Sequence, residues 1–360
     1  MNIADIQKDI GNSRIWISID EATDSLGRYI ANVIVGKLDG NKAQKGHLIH
    51  VAQLDKTNGD TIVQTVQEAL RILWQGAPNT VDRFLLLVTD SVAYMLSAGK
   101  TLKKLYPKLI HETCFAHGLH RVAEAVRDEH PLVNQLISVG KKMFLKSPKR
   151  VEVFRNVLPD VPLPPEPVIT RWGTWLSAAS YYYKNFEGFK KVVEELEDDG
   201  ASVRTAKSII DDTKLLPQLL FLESNFSDLP GTIEKLQSQT LMLTEGVEMM
   251  QKINNKQYPG PIGLKIQTKV KAVLERNCGW KDVQNIAAAL AGSEEAVVKE
   301  NWTLQDMLSM KYAPVTSSDV ERSFSKLKYI LHDRRLRLTM DNLTAHLMLY
   351  YNYGNSYNYL

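Results

Sequence analysis

The chain has 360 residues, 44% of them apolar, with 44 Lys and Arg against 41 Asp and Glu and only two cysteines. That length and apolar content predict a globular protein with a substantial core and about two domains. Cys114 and Cys278 lie far apart, which excludes a disulfide framework and points to a reducing compartment. The opening MNIADIQKDIGNS has no basic flank leading into an apolar run, so no signal peptide is expected, and no window is apolar enough to span a bilayer. A net charge of +3 does not by itself announce a nucleic-acid binder, but the charge is uneven. From Lys100 to Arg155 there are twelve Lys and Arg against five Asp and Glu, whereas Glu187 to Glu300 carries fourteen against eighteen.

RIWISID, ending at Asp20, alternates as a strand, and Tyr29–Leu38 and His47–Leu54 follow as two more, which suggests an antiparallel meander. Asp60 is the candidate N-cap of a helix whose Ile62, Val66, Ala69, Leu70 and Leu73 share one face and which Gly76 would end. FLLLVTD, ending at Asp90, is the continuous apolar run of a strand buried on both faces. A helix over Ser91 to Leu105, a short strand over Leu109 to Cys114 and helical periodicity running on through Lys146 complete a βββαβαβα order. This is the order of an α/β protein with a mixed sheet. VLPDVPLPPEPVITRW, with five prolines in sixteen residues, reads as a rigid connector, and the text from Trp175 to about Leu308 is mainly helical.

Asp20 and Asp90 each close an apolar strand, and the first and fourth strands are the natural central neighbours. Strands lie about 4.8 Å apart, so both carboxylates can meet one cation. An all-oxygen donor set favours Mg²⁺ or Mn²⁺, the ions of phosphodiester chemistry. The ordinary alternative is an Asp that caps the next helix. Cys114 and His117 have the spacing of half a zinc site, with His120 as a possible third ligand but no second cluster to complete it. A buried Cys beside a hydrogen-bonded His is the plainer reading. Ser317, Ser318 and Asp319 are N-cap candidates for a helix on which Phe324, Leu327, Ile330 and Leu331 follow at core spacing.

VTDSVAYM, CFAHGLHRV, TRWGTW and SSDVERSFSKLKYILHDRRLRL, in that order, resemble successive landmarks of the hobo/Activator/Tam3 (hAT) DNA transposases, over nearly the whole chain from Ile15 to about Asn352. The resemblance implies a ribonuclease-H-like mixed sheet (βββαβαβ) interrupted by a helical insertion domain. Residues 12–115 would be the first part of the core and 116–310 the insertion, with its Pro-rich connector near 158–167. Residues 311–352 would complete the core and supply a dimerisation segment. It further implies Glu321 as the third acid beside Asp20 and Asp90, all three holding Mg²⁺ or Mn²⁺, and DNA as the substrate. Arg171, Trp172, His117, Arg322, Arg334 and Arg335 would face that DNA, the tryptophan stacking on an extruded base, in a nuclear homo-oligomer.

Two departures bear on this. The first strand is expected near Arg14, which leaves no room ahead of it for the zinc-finger module that reads transposon ends, and Ala22 stands where many relatives place a tryptophan, which makes Asp24 a rival to Asp20 as the metal ligand. Asp20 is preferred because it directly ends the alternating run, whereas Asp24 would fall in the turn. The alternative expectation is a domesticated, transposase-derived nuclear protein that binds DNA or partners and dimerises without catalysis.

Overall fold

The computed structural model of the protein describes residues 2–77, 80–168, 172–297, 299–331 and 338–353, the Trp172 side chain excepted. Helix α1 (Ile3–Ile10) precedes a ten-residue strand β1 (Arg14–Thr23), which pairs antiparallel with β2 (Tyr29–Leu38), itself antiparallel to β3 (His47–Leu54). Helix α2 (Gly59–Trp74) leads to β4 (Phe84–Thr89), parallel to β1, and α3 (Ala93–Leu105) leads to β5 (Ile110–Thr113), parallel to β4. The five strands form one mixed sheet in the order β3-β2-β1-β4-β5, with the first and fourth strands adjacent as their sequences imply.

After the sheet the described chain is helical: α4 (Phe115–Asp128), α5 (Pro131–Phe144), α6 (Pro148–Val157), α7 (Trp172–Lys184), α8 (Phe186–Glu195), α9 (Ala201–Ile210), α10 (Leu215–Phe226) and α11 (Leu229–Leu236). Then follow α12 (Leu243–Asn255), α13 (Gly260–Arg276), α14 (Trp280–Leu290), α15 (Leu304–Ser309), α16 (Ser318–Ile330) and α17 (Met340–Tyr353). Among the described residues no helix is long and apolar enough to cross a membrane.

Several local expectations are corrected. β1 runs three residues past Asp20, because antiparallel pairing with β2 continues to Thr23 opposite Tyr29. Asn58, not Asp60, caps α2: its side chain accepts from Thr61 N at 2.9 Å, and the Thr61 hydroxyl in turn accepts from Asn58 N at 3.2 Å. That helix stops at Trp74, with Gln75 already left-handed before Gly76. The periodicity read through Lys146 is broken into α4 and α5 at Pro131, whose missing N–H suits the first turn of a new helix.

The chain forms two compact units. One comprises residues 1–117, 235–253 and 274–360; the other comprises 118–234 and 254–273. The helical stretch read as 116–310 is thus divided, with 116–117, 235–253 and 274–310 belonging to the sheet unit. In that unit Ile15, Ile17 and Ile19 of β1, with Val33 and Val35 of β2, pack against Ile62, Val66, Ala69 and Leu70 of α2 and Met95, Ala98 and Leu102 of α3. Gly99 lets α3 approach β5, since a methyl group there would fall 1.9 Å from His111 Nδ1. The opposite face of β1 and β2 receives α16. Its Ser323 hydroxyl accepts from Asn32 Nδ2 at 2.7 Å, both groups being fully buried. In the second unit Tyr182, Phe189, Phe154 and Trp175 are buried, and Trp175 Nε1 donates to Asn134 Oδ1 at 3.1 Å.

Candidate functional site

Strand register assembles the site. Asp20 pairs with Asn32 across β1 and β2, Ser18 with Val88 across β1 and β4, and Val88 with Glu112 across β4 and β5. Side chains alternate, so two steps further along the parallel strands the same face carries Asp20, Asp90 and Cys114 in one row. Cys114 N donates to Thr89 O at 2.8 Å, which holds that row together where the strands end. This is the α16 face of the sheet. Glu21, the next residue, points the other way and accepts a hydrogen bond from the Tyr94 hydroxyl.

Burial pushes the Asp20 carboxyl up to about 7, and the negative charges of Asp90 and Glu21 add to the shift. Its Oδ1 accepts from Glu21 N at 2.9 Å, which offsets only part of that cost. Asp90 Oδ1 accepts from Val92 N at 3.2 Å, in the turn that opens α3. That bond lies ahead of the helix, whose N-cap position is taken by Val92 without a side-chain cap bond, so Asp90 is not the cap of α3. Asp24, the rival ligand, is consumed by its turn: it accepts from Leu26 N, Arg28 N and Arg28 Nε at 2.7 to 2.9 Å.

Beside the aspartates lies a second group. Phe115 N donates to Val315 O at 3.0 Å, which brings the start of α4 against the residues before α16. The buried Cys114 Sγ accepts from His117 N at 3.5 Å and from Ser317 N at 3.3 Å. The Ser317 hydroxyl lies 3.3 Å from His117 Nδ1 and donates to Glu321 Oε1 at 3.5 Å, and His117 Nε2 is 3.7 Å from the same carboxylate oxygen. The negative charge on Cys114 raises the His117 pKa above the usual imidazole range despite burial, helped by Glu321 and Asp20. Burial alone would push the Cys114 thiol up, but the His117 charge and hydrogen bond bring it below its ordinary value. Among the described residues, the group of three whose ligand atoms all lie within 4.8 Å joins Glu321 to Cys114 and His117 rather than to the two aspartates.

Ser317 precedes α16 but makes no side-chain cap bond, a correction to its expected role, because its hydroxyl is spent on His117 and Glu321. Phe324, Leu327, Ile330 and Leu331 are buried, as core spacing implied. Arg322 is engaged within the protein: its guanidinium donates to Asp319 Oδ1 and to Gln237 O, with 44% of its side chain exposed. Arg171, Arg334 and Arg335 lie outside the described residues; Trp172 begins α7, but its side chain is outside them as well. Sequence reasoning missed the Asn32–Ser323 contact that seats α16. Its signal was a lone amide inside the apolar run YIANVIVGKL. No model of a known family and no curated protein matches this chain.

Proposed function

We propose that this protein is the catalytic region of a hAT-type DNA transposase with a ribonuclease-H-like core, acting in the nucleus as a homo-oligomer on DNA phosphodiester bonds. The observation that carries the reading is the shared row of Asp20 and Asp90 on neighbouring strands of a βββαβαβ sheet, with Glu321 entering on a helix that packs against the same face. The second, helical unit corresponds to the insertion. Two carboxylates in one row, one held at about 7 by burial and by its neighbour, are a donor set whose cost a hard divalent cation relieves. Asp20 and Asp90 would hold Mg²⁺ or Mn²⁺, with Glu321 as the third acid by resemblance. Bound there, the ions supply Lewis acidity and a more acidic attacking water.

The protein's own groups do the rest. The His117 imidazolium offers its N–H to a phosphate oxygen, and its charge offsets the carboxylates around it. The Ser317 hydroxyl orients Glu321. Trp172 stacks on an extruded base, an interaction worth about 1–3 kcal/mol. Incubation of the purified protein with a labelled DNA duplex and Mn²⁺ is expected to give strand cleavage that falls to background in Asp90→Asn. Cleavage retained by that variant would overturn the assignment. Trp172→Ala is expected to impair processing of duplex ends more than binding, because phosphate contacts supply the bulk affinity; equal losses would remove the base-stacking role.

A further inference from the structure

Beside the row of aspartates, Cys114, His117 and Glu321 bring one sulfur, one imidazole nitrogen and one carboxylate oxygen within 4.8 Å of one another. Hard cations such as magnesium take oxygen donors, and thiolate with imidazole selects a softer ion. We propose that these three residues form a binding site for a single Zn²⁺ ion, separate in its donor chemistry from the Asp20–Asp90 pair.

Three features of the structure support a built site. The Cys-x-x-His spacing at the start of α4 lets the His117 amide bond to Cys114 Sγ at 3.5 Å, so the first turn of the helix sets both donors on one side. The Ser317 amide donates to the same sulfur at 3.3 Å from across the fold, so two backbone N–H groups fix Sγ and favour the thiolate that zinc requires. Glu321 comes from the first turn of α16, and the Ser317 hydroxyl that holds it also meets the His117 ring, an outer contact of the kind that orients metal ligands. With zinc bonds of about 2.0–2.3 Å, donors around one ion stand roughly 3.5 Å apart. The 3.7 Å between His117 Nε2 and Glu321 Oε1 matches that spacing. Three protein ligands leave a fourth position open to water or a phosphate oxygen, the pattern of a reactive zinc rather than a closed structural one.

The proposal does not rest on the nuclease reading: zinc here would occupy the Glu321 carboxylate which that reading gives to magnesium and the His117 ring nitrogen beside it, so the two describe alternative uses of those side chains. It is tested without DNA, so its failure and the failure of that reading are separate results. The full-length protein, stripped with a chelator, is titrated with Co²⁺ as a spectroscopic stand-in. One equivalent is expected to produce a thiolate-to-cobalt charge-transfer band with the visible bands of a four-coordinate ion, and Zn²⁺ should bleach both. The charge-transfer band should vanish in Cys114→Ser and persist in Cys278→Ser, the exposed control. Cys114 is buried, so Glu321→Gln on the partly exposed side of the cluster gives a second reading, with cobalt affinity falling about tenfold or more. The proposal is overturned by the absence of a charge-transfer band in the wild-type chain, by its loss in Cys278→Ser, or by unchanged affinity in Glu321→Gln.

Discussion

A carboxyl group that titrates near 3.8 in the unfolded chain and at about 7 in the fold, as burial and the Asp90 charge make Asp20 do, binds more protons folded than unfolded between those values. Stability therefore falls as pH rises through that window, and the full cost is present above about 7. Asp20→Asn removes the charge while keeping the shape. Without metal ions it is expected to raise the melting temperature at pH 8 by at least about 2 °C and to leave it nearly unchanged near pH 3.5. An unchanged or lower melting temperature at pH 8 would show that the carboxylate is better solvated than the structure implies. The placement of Asp20 and Asp90 on neighbouring strands was legible in the sequence because each closes an apolar run. Ser317 was not, since the groups that take its hydroxyl and amide away from helix capping, His117 and Cys114, lie 200 and 203 positions earlier. Local spacing carries no information about such partners.

Elements far apart in the chain are held by single polar side chains. Asp306, fully buried in α15, accepts from Arg14 at the start of β1 and from Lys108 Nζ just before β5 at 2.9 Å, and forms a capping box with Thr303. Burial raises its pKa, but the Thr303 amide, Lys108 and Arg14 outweigh that and bring it down to about 2. Its contribution to stability is therefore complete above 3.8 and is lost as pH falls toward 2, the reverse of Asp20. Asp306→Ala strands two cations and is expected to cost about 3 kcal/mol, measured by urea unfolding at pH 7. Asn277 makes a similar clamp. Its Oδ1 accepts from Thr113 N and Gly279 N, and its Nδ2 donates to Thr113 O and to Glu112 Oε1, all at 3.0–3.1 Å. Asn277→Ala leaves a buried carboxyl group without that donor and is expected to cost about 2–3 kcal/mol; a loss below 1 kcal/mol would mean that Glu112 finds another partner. β2 and β3 were legible to the residue because hydrophobic runs bounded by turn residues define them. The division of the long helical text into units was not, because amphipathic periodicity states that a face is buried and not against which neighbour.

At the scale of the whole chain, the sheet unit is assembled from three separate stretches and the helical unit from two. The basic stretch is divided between them, with Lys100, Lys103, Lys104 and Lys108 in the first and the remainder, from Arg121 to Arg155, in the second. On the proposed function, DNA affinity should fall linearly with salt on logarithmic axes, since each neutralised phosphate releases counterions; a flat response would remove the phosphate-facing surface. The edge of the sheet adds a consequence in time. β3 is an outer strand, and Asn352 of α17 satisfies its backbone at Leu48, accepting from the amide at 2.9 Å and donating to the carbonyl at 3.0 Å. These partners are 304 residues apart. At translation rates of about 5–20 residues per second, β3 waits roughly 15–60 s on the ribosome before its seal is made, an interval in which a bare strand edge is open to other nascent chains. Until α17 has left the ribosome, the Leu48 amide and carbonyl lack the side chain that satisfies them in the finished fold.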